Sequence, residues 1–457
     1  MRGKFVLTIF WSTLVPLIAA VSAAEEGSAI ALTGARLIDG TGQAPIENAT
    51  LIIQGNRISA AGPADSVKRP EHAQVIDCHG QTIIPGLISS HSHIGLVDGV
   101  NVSPANYNRD NIQRQLLQYE AFGVTTVMAL GLNADLFYTL RDEQRIGRLA
   151  GADMFGADRG IGAPLGAPPN TLLPVGTDQL YRPETPDEAK TDVREMAARH
   201  PDLIKIWVDD LLHTAPKMKP EIYQAVIEEA HRLGLRVASH IYYLDDAKAV
   251  LNSGADIIAH GVRDQPVDAE FIAALKARSA YYIPTINLDE CSYIYSEQPA
   301  WMKEPFFQAA LQPALRARLS DATFINKMRA NPNLPVFKAA VANNKKNLKM
   351  LFDAGVNIAM GTDSGAQPLR IPGFAEHREL QLMVESGLTP MQVLQCATHN
   401  SAAALGLSDR GVLAPGKLAD FVVLTANPLE DIKNTEKIAA VWHNGKQVHG
   451  PIVVSAD

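Results

Sequence analysis

The apolar positions of this chain form short runs of strand length that alternate, through most of the sequence, with stretches of helical periodicity. The helical stretches are clearest at residues 187–199 and 220–233, where apolar residues recur every three to four positions. Strands that alternate with helices predict parallel βαβ units. Eight apolar runs have strand length, at residues 83–88, 123–130, 153–157, 203–208, 236–239, 256–259, 281–286 and 357–360.

Eight parallel strands are the number that a closed (β/α)8 TIM barrel requires. We therefore predict the α/β class and a barrel spanning residues 83–412. The alternative is an open, doubly wound sheet, which would place a glycine-rich phosphate-binding loop after its first strand. No such loop follows residues 83–88, so the pattern favours the barrel.

Both ends of the chain show a different pattern, in which short apolar runs are broken by glycines. Runs of this kind occur in residues 30–84 and again in residues 420–442, and Asn444-Gly445 then has the sequence of a hairpin turn. We predict that the two ends meet in one small β-sandwich domain. The predicted domain consists of residues 25–82 and 413–457.

One segment, residues 287–346, interrupts the alternation after the seventh run and is rich in aromatic side chains. An insertion at the carboxyl end of a barrel strand lies where barrel active sites are built. A helical lid and a packing or dimer contact are both consistent with this segment. Its aromatic residues include Tyr293, Tyr295, Trp301, Phe306 and Phe307.

The first residues have the features of an export signal. Arg2 and Lys4 precede an apolar stretch at residues 5–21, and small residues at 21–24 offer a cleavage site. We predict a signal peptide at residues 1–24 and a periplasmic or secreted protein without a membrane segment after cleavage. An uncleaved membrane anchor is the alternative.

Composition narrows the class of partner. Apolar residues make up 46% of the 457 residues, enough for a sizeable core, and the net charge of −8 argues against nucleic-acid binding. We expect a small-molecule substrate. Assembly into a homo-oligomer and a monomer are both consistent with the composition. The cysteines Cys78, Cys291 and Cys396 are too far apart for a CxxC metal site or a disulfide framework, which predicts buried free thiols.

Four of the thirteen histidines lie at the carboxyl ends of predicted strands. His91 and His93 follow the first run two residues apart, so both side chains face the same side and can share a metal ion. His240 and His260 end the fifth and sixth runs. Because neighbouring strand ends converge at one mouth of a barrel, the four imidazoles can reach a common centre.

Asp363 follows the last run and adds a carboxylate that could ligate metal and take a proton from bound water. Zinc prefers His and carboxylate ligands, and a catalytic zinc site keeps one position open for water. Such an ion lowers the pKa of its water to about 7 and polarises the attacked carbonyl. We predict a zinc-dependent hydrolase, and Mn, Co or Fe could occupy the same donors.

Lys205 lies within the apolar run 203–208. It is either an edge residue whose ammonium reaches water or an inward-facing polar group. A buried lysine has a lowered pKa and becomes a neutral amine, which can add carbon dioxide to give a carbamate. A carbamate has two oxygens and can bridge two metal ions. We predict a carbamate on Lys205 and one or two zinc ions per chain, with two favoured.

These residues resemble the amidohydrolase superfamily. Pro-Gly-Leu-Ile at 85–88 followed by His-Ser-His at 91–93 is similar to the first-strand signature of that superfamily. Leu-Ala-Pro-Gly-Lys-Leu-Ala-Asp-Phe at 413–421 resembles the segment that returns the chain from the barrel to the β-domain. Other residues match the ligands on its fifth, sixth and eighth strands: His240, His260 and Asp363.

The resemblance implies hydrolysis of amide, cyclic amide, ester or related bonds. Lys205 with its flanking isoleucines is similar to the branch with a carboxylated fourth-strand lysine, which includes imidazolonepropionase-related and prolidase-type enzymes and aryl-amide or carbamate hydrolases. In that branch the first-strand His pair and Asp363 would hold one ion, His240 and His260 the other, and the carbamate would bridge them. Asp363 would also be the general base and later the acid for the leaving amine.

Three positions depart from the family pattern. Ser89 stands where many members have Asp, and Ala259 stands where Glu often precedes the sixth-strand histidine. Residues 207–210 read Trp-Val-Asp-Asp in place of a glycine-rich stretch. We interpret the first two as changes around the metal ligands that leave metal binding intact. The third lies in a substrate loop and points away from the peptidase-like members.

Several residues just beyond strand ends are candidate substrate contacts, with loop packing as the alternative. Arg263 could pair a substrate carboxylate through two hydrogen bonds. The candidates are Tyr242, Trp207, Arg263, Asn287 and Ser364.

The favoured function is a hydrolase of carbon–nitrogen bonds in linear or cyclic amides, including N-acyl amino acids and dipeptides. The alternatives on the same centre are an esterase, a lactonase or an organophosphate hydrolase. A non-catalytic binding protein would be expected to have lost a ligand such as Asp363. A mononuclear deaminase would need a further Glu near His240, and Glu228 and Glu229 fall on the preceding helix.

Overall fold

The computed structural model describes residues 29–451. The predicted signal peptide at residues 1–24 therefore lies outside the described residues. None of the helices formed by residues 29–451 is long and apolar enough to cross a membrane.

The described residues form strands at both ends of the chain and alternate strands with helices between them. The strands are β1 (Ile30–Leu37), β2 (Ile46–Gln54), β3 (Arg57–Pro63), β4 (Gln74–Asp77), β5 (Thr82–Pro85), β6 (Leu87–Ser92), β7 (Val97–Asp98), β8 (Asn101–Val102), β9 (Val124–Ala129), β10 (Asp153–Gly156), β11 (Ile204–Trp207), β12 (Val237–His240), β13 (Ile257–Ala259), β14 (Tyr281–Ile283), β15 (Asn357–Ile358), β16 (Phe421–Leu424), β17 (Ile438–His443) and β18 (Lys446–His449).

The helices lie mostly between the central strands. They are α1 (Arg109–Ala121), α2 (Leu136–Arg145), α3 (Pro186–Ala197), α4 (Pro220–Arg232), α5 (Leu244–Asn252), α6 (Ala269–Arg278), α7 (Ile286–Glu290), α8 (Ile294–Glu297), α9 (Pro305–Ala309), α10 (Pro313–Ser320), α11 (Ala322–Arg329), α12 (Leu334–Asp353), α13 (Phe374–Glu385), α14 (Pro390–Gln395) and α15 (Ser401–Leu405).

The central strands pair in parallel, as their alternation with helices predicts. β6, β9 and β10 form one sheet, and β11 to β15 form another. Single parallel bridges connect the two sheets, from Ile161 to Ile206 on one side and from Ser92 to Ser364 on the other. The result is an α/β fold of TIM-barrel-like type, in which the carboxyl ends of the parallel strands point the same way.

Local signals explain where the helices begin. α3 starts with a capping box, in which the Thr185 hydroxyl accepts from the Glu188 amide and the Glu188 carboxylate accepts from the Thr185 amide. Proline occupies the first position of both α3 and α4, where its missing N–H costs no hydrogen bond. The predicted helical stretches at 187–199 and 220–233 agree with these two helices.

The predicted first run, residues 83–88, is divided between two sheets. Ile83 and Ile84 belong to β5, which pairs with β16, whereas β6 starts at Leu87. The division falls at Gly86, whose N–H donates to the carbonyl of Asp420. A Cβ at Gly86 would lie 2.2 Å from Thr125 Oγ1, so only glycine fits this crossing point.

The two chain ends pair in one mixed sheet of eight strands. Its order is β18-β17-β16-β5-β1-β2-β3, and β4 also pairs with β1. The Asn444-Gly445 turn joins β17 to β18 with positive φ values of 49° and 76°, as its sequence predicts. The rings of Phe421 and Trp442 stack with centroids 5.4 Å apart on a buried face of this sheet.

The segment 287–346 folds into short helices followed by α12, and its aromatic side chains pack within the chain. Tyr295 and Phe307 stack with ring centroids 5.9 Å apart. Trp301 lies 5.1 Å from Phe374, the first residue of α13. These contacts pack the segment against α13, and other residues of the segment, such as Leu288 and Phe337, line the cavity described below. The three cysteines are buried and free, as predicted.

Candidate metal centre

The predicted ligands meet at the carboxyl ends of the central parallel strands. His91 and His260 have ring centroids 4.3 Å apart, and His240 and His260 have theirs 4.4 Å apart. His93 follows at 5.7 Å from His91. Alternation along β6 places His91 and His93 on one side, and β12 and β13 deliver His240 and His260 beside them. The structure thus brings all four imidazoles together.

Asp363 completes a cluster that could hold a cation. Its Oδ1 lies 3.2 Å from His91 Nε2 and 3.0 Å from His93 Nε2, and the three ligand atoms lie within 4.8 Å of one another. Asp363 has a φ of 61° and His260 a φ of 85°, values in which L-residues are strained. Such strain at a site of converging polar groups is typical of functional positions.

A close approach of the last strand to the first makes this cluster. Gly361 lies so near His91 that a Cβ would stand 2.7 Å from His91 Cβ and 2.8 Å from its backbone nitrogen. The amide of Asp363 donates to the His91 carbonyl at 2.8 Å. Backbone contacts therefore hold Asp363 over the His pair.

Lys205 lies at the base of the cluster and is fully buried, with 0% exposure. Its Nζ has no hydrogen-bond partner among the described residues, and the nearest aromatic ring, that of Trp207, has its centroid 5.4 Å away. Burial lowers the pKa of Lys205 to about 7. Both findings exclude the alternative of an edge residue with its ammonium in water.

The protonation of the cluster suits cation binding. Burial, and next the charge of Lys205, holds the pKa of His91 well below its usual value. Burial and the neighbouring imidazoles do the same for the pKa of His260. Burial by itself raises the pKa of Asp363, but contacts with Arg370 and the first-strand His pair hold that pKa well below its usual range. The site therefore offers neutral imidazoles beside a carboxylate.

Hydrogen bonds around the cluster orient the imidazoles. His260 Nδ1 pairs with Thr285 Oγ1 at 2.9 Å, and His93 Nδ1 pairs with the Gly131 carbonyl at 3.2 Å. Partners of this kind leave the other ring nitrogen free to bind a metal ion. Both ring nitrogens of His240 lack a hydrogen-bond partner in the described part of the chain.

A carboxylate that sequence reasoning missed supports the cluster from below. Glu376, in α13, accepts hydrogen bonds on one oxygen from the hydroxyls of Ser89 (3.0 Å), Thr362 (2.6 Å) and Ser364 (2.7 Å). It is fully buried. Ser89, one of the three departures from the family pattern noted above, thus binds a buried glutamate. Its surrounding sequence gives no signal for this role.

A cavity of about 550 Å³ opens over the cluster. The candidate substrate contacts Trp207, Tyr242 and Arg263 line it, together with Arg370. Asn287 is not among the described residues that line the cavity, because it lies in α7, where its side-chain Nδ2 donates to Glu290 and its backbone N–H donates to Glu379.

Ser364 also stays out of the cavity lining, since its hydroxyl donates to Glu376. Asp209, which sequence reasoning noted only as part of a loop, does line the cavity. Its Oδ1 lies 3.1 Å from His240 Nε2. The alternation that begins at Lys205 in β11 would have indicated this orientation.

The donor set fits a divalent metal ion. The imidazole nitrogens of His91 and His240 and one oxygen of Asp209 are buried and have no hydrogen-bond partner among residues 29–451. Buried polar atoms without partners are costly, and a cation supplies the missing interaction. Imidazole and carboxylate are the donors that zinc and similar ions prefer.

The sequence matches the profile of the Amidohydrolase family over residues 82–448. The chain is 24% identical over 471 residues to the ochratoxinase of Aspergillus niger. The alignment covers 94% of this chain and 89% of the relative. It is 24% identical over 412 residues to the imidazolonepropionase of Deinococcus radiodurans. This alignment covers 88% of this chain and 92% of the relative.

Solved structures show the same similarity. The crystal structure of a Xaa-Pro dipeptidase with bound methionine in the active site superposes with a TM-score of 0.74 at 26% identity, covering 93% of this chain and 100% of that chain. The matched region contains every candidate ligand, from His91 to Asp363. The resemblance read from the sequence is confirmed, and the chain belongs to the amidohydrolase family of hydrolytic enzymes.

Proposed function

We propose that this protein is a metal-dependent hydrolase that cleaves amide-like carbon–nitrogen bonds at a two-ion centre. The observation that carries the proposal is the convergence of four histidines and Asp363 near a buried lysine whose Nζ has no hydrogen-bond partner among residues 29–451. The named relatives, an ochratoxinase, imidazolonepropionases and a Xaa-Pro dipeptidase, support the choice of bond.

In this proposal two groups of residues hold the ions. His91, His93 and Asp363 hold one, His240 and His260 hold the other, and a carboxylated Lys205 lies between them. When bound, such ions lower the pKa of a coordinated water and polarise the attacked carbonyl. Zinc is the proposed metal, because the donors are imidazoles and carboxylates.

The carbamate is proposed from the surroundings of Lys205. A buried ammonium without a hydrogen-bond partner among residues 29–451 is disfavoured, and with a pKa of about 7 much of the Lys205 amine is neutral near neutral pH. Its nitrogen can attack carbon dioxide, which forms an N–C bond and releases one N–H proton. The carbamate that results would add an anionic oxygen ligand to the proposed ions.

Asp363 is the proposed proton carrier. Its carboxylate faces the cavity beside the His pair and is held by Arg370 on its other oxygen. It would take the proton of the attacking water and deliver that proton to the leaving nitrogen. The short segment from Asp363 to Arg370 keeps both groups in place.

The cavity wall indicates the kind of substrate. Arg263 is anchored by Asp289 and by the Ile241 carbonyl, and its Nε has no partner among the described residues. We propose that it binds a substrate carboxylate, as in an N-acyl amino acid or a dipeptide. Apolar side chains line the same cavity: Leu172, Leu211, Leu212 and Phe337. Arg263→Lys should raise KM for a carboxylate substrate more than for its amide, and equal effects on both would oppose this role.

The finer architecture and the location are proposals as well. We propose that the eight parallel strands close into a complete (β/α)8 barrel within the predicted range 83–412, with β6 at Leu87 as its first strand. Residues 25–82 and 413–457 would form the β-sandwich domain, and the signal at 1–24 would direct export to the periplasm or medium. An N-terminus still at Met1 in the exported protein would oppose the cleavage.

The decisive experiment measures metal content per chain, together with turnover of a chromogenic amide, for wild type and Lys205→Ala. We expect about two ions in the wild type and clearly fewer in the variant, with activity lost. Lys217→Ala is the matched control, because Lys217 is half-exposed on the loop after the same strand and pairs with Asp246.

Reconstitution of the apoprotein with zinc should also need bicarbonate in the wild type. One ion in both wild type and Lys205→Ala would reduce Lys205 to a structural residue and indicate a single-ion site. Absence of metal after reconstitution with zinc would contradict the proposed function altogether.

A further inference from the structure

Asp209 is a buried carboxylate at the mouth of β11 that none of the predicted roles uses. It is 1% exposed, and its Oδ1 has no hydrogen-bond partner in residues 29–451. Lys205, Trp207 and Asp209 follow the alternation of the strand, so they reach the same side. Asp209 thus lies beside the centre, on the side of His240.

The position of Asp209 relative to His240 is unusual for a hydrogen bond. Asp209 Oδ1 and His240 Nε2 are 3.1 Å apart, yet neither atom has a hydrogen-bond partner of normal geometry among residues 29–451. A carboxylate that accepted the ring N–H would orient the imidazole without itself contacting the metal ion.

Two ligand atoms of one metal ion have this kind of separation. With zinc–nitrogen and zinc–oxygen bonds of about 2.0–2.2 Å, ligand atoms lie about 2.9–3.4 Å apart at angles from 90° to tetrahedral. The two pairs that Asp363 makes with the first-strand histidines, at 3.2 Å and 3.0 Å, fall in the same interval. The pair formed by Asp209 and His240 repeats that geometry on the other half of the centre.

An ion pair with Lys205 does not account for the buried carboxylate. Lys205 Nζ has no hydrogen-bond partner among the described residues, Asp209 included. The guanidinium of Arg263, the other cation on this wall, is directed at Asp289 and the Ile241 carbonyl. Asp209 therefore keeps a buried, unneutralised oxygen that faces an imidazole.

From these contacts we infer that Asp209 is a direct ligand of the ion held by His240 and His260, in addition to the ligand set derived from the sequence. The inference rests on the proposed metal centre. It gives the second ion two imidazoles and a carboxylate before any carbamate is counted. Three protein donors with an open position are the composition of a catalytic zinc site.

The test is a titration of metal-free protein with Zn²⁺ against a chromophoric chelator, for wild type, Asp209→Asn and Asp210→Asn. Asp210 is the matched control, since its carboxylate is already bound by Tyr243 and His213. We expect two ions in the wild type and in Asp210→Asn. In Asp209→Asn the affinity for the first ion should be unchanged. The affinity for the second ion should fall more than about 100-fold, because a residue that only hydrogen-bonds a metal ligand causes a loss of about 10–100-fold.

A smaller loss of affinity for the second ion would overturn the inference that Asp209 is a direct ligand. This outcome is distinct from failure of the proposed function, in which the wild type itself would bind no ion. Circular dichroism of the metal-free variants checks the fold. If Asp209→Asn does not fold, Asp209→Ser removes the carboxylate in a smaller side chain, and the same threshold applies to it.

Visible absorption of the Co²⁺-loaded proteins gives a second readout that does not depend on activity. Loss of an oxygen ligand should change the bands of the second ion in Asp209→Asn. Spectra identical to those of the wild type at full loading would also overturn the inference.

Discussion

Single residues of this site depend on partners that lie far away in the chain. Ser89 and Glu376 are 287 positions apart and share a hydrogen bond of 3.0 Å. The same Glu376 oxygen accepts from the hydroxyls on either side of Asp363. One buried charge therefore holds β6 and the Asp363 segment together beneath the candidate ligands.

Glu376→Gln should weaken both the fold and the metal centre. The three hydroxyls would lose a charged acceptor, at a cost of about 1–3 kcal/mol in the free energy of unfolding. Zinc affinity should fall by about 10–100-fold, because the ligands above lose their support. Denaturant unfolding and zinc titration measure the two effects.

Glu385→Gln is the control for that prediction, because Glu385 lies in the same helix and forms surface ion pairs with Lys345 and Arg378. Its effect on stability should stay below about 1 kcal/mol. Equal behaviour of the two variants would show that Glu376 does not support the centre.

At the scale of elements, a buried charge network connects the sheet of the chain ends to the parallel strands. His443, in β17, pairs with Glu120 of α1 at 2.6 Å and lies 3.4 Å from Asp153 of β10. Arg410 also pairs with Asp153, at 2.7 Å. Asp153, Asp420 and His443 are close enough to hold a cation, but Arg410 already neutralises Asp153.

His443 makes the stability of this junction depend on pH. Burial alone lowers the pKa of His443, but the carboxylates of Asp153, Glu120 and Asp420 raise it to about 10. The unfolded chain has a histidine pKa of about 6.5. The stabilisation by protonated His443 is therefore complete below that pH, decreases as the pH rises, and is lost above pH about 10.

His443→Gln should lower the free energy of unfolding by about 3 kcal/mol near pH 6, since it breaks a buried pair. The difference from the wild type should shrink steadily toward pH 10. Urea unfolding at a series of pH values measures this difference. A difference that is constant from pH 6 to 10 would mean that His443 is not protonated in the fold.

At the scale of the whole molecule, the candidate metal centre is built by strands from both parallel sheets. Its residues come from β6, β12 and β13 and from the chain after β15. A bound ion would connect the first of these strands to the last. Metal binding and global stability should therefore be linked.

Zinc should raise the melting temperature of the wild type, and a chelator should lower it. Ligand bound only to the native state adds about 2.7 kcal/mol at a free concentration 100 times Kd. His91→Ala should lose most of this shift. His231→Ala should keep it, because His231 is a half-exposed residue of α4 that pairs with Asp256. A wild-type melting temperature that zinc leaves unchanged would refute the linkage.

Much of the architecture is readable from local spacing. Apolar runs that alternate with helical periodicity predicted the α/β class and, within a few residues, the central strands and helices such as α3 and α4. Histidines at the ends of those runs predicted where imidazoles would converge. The physical reason is that strand alternation and the common direction of parallel strands depend only on neighbours in the chain.

Contacts between distant segments required the tertiary structure. Gly86 divides a continuous apolar run between two sheets because Thr125 and Asp420 meet it there. The Asn287 side chain does not line the cavity, because its Nδ2 donates to Glu290 within α7. The positions of Asp209 beside His240 and of Glu376 beneath Ser89 likewise depend on how separate βα units pack. Spacing along the chain determined which strand ends carry the chemistry, whereas packing between them decided which polar groups reach the centre, since burial and pairing are properties of three-dimensional neighbours.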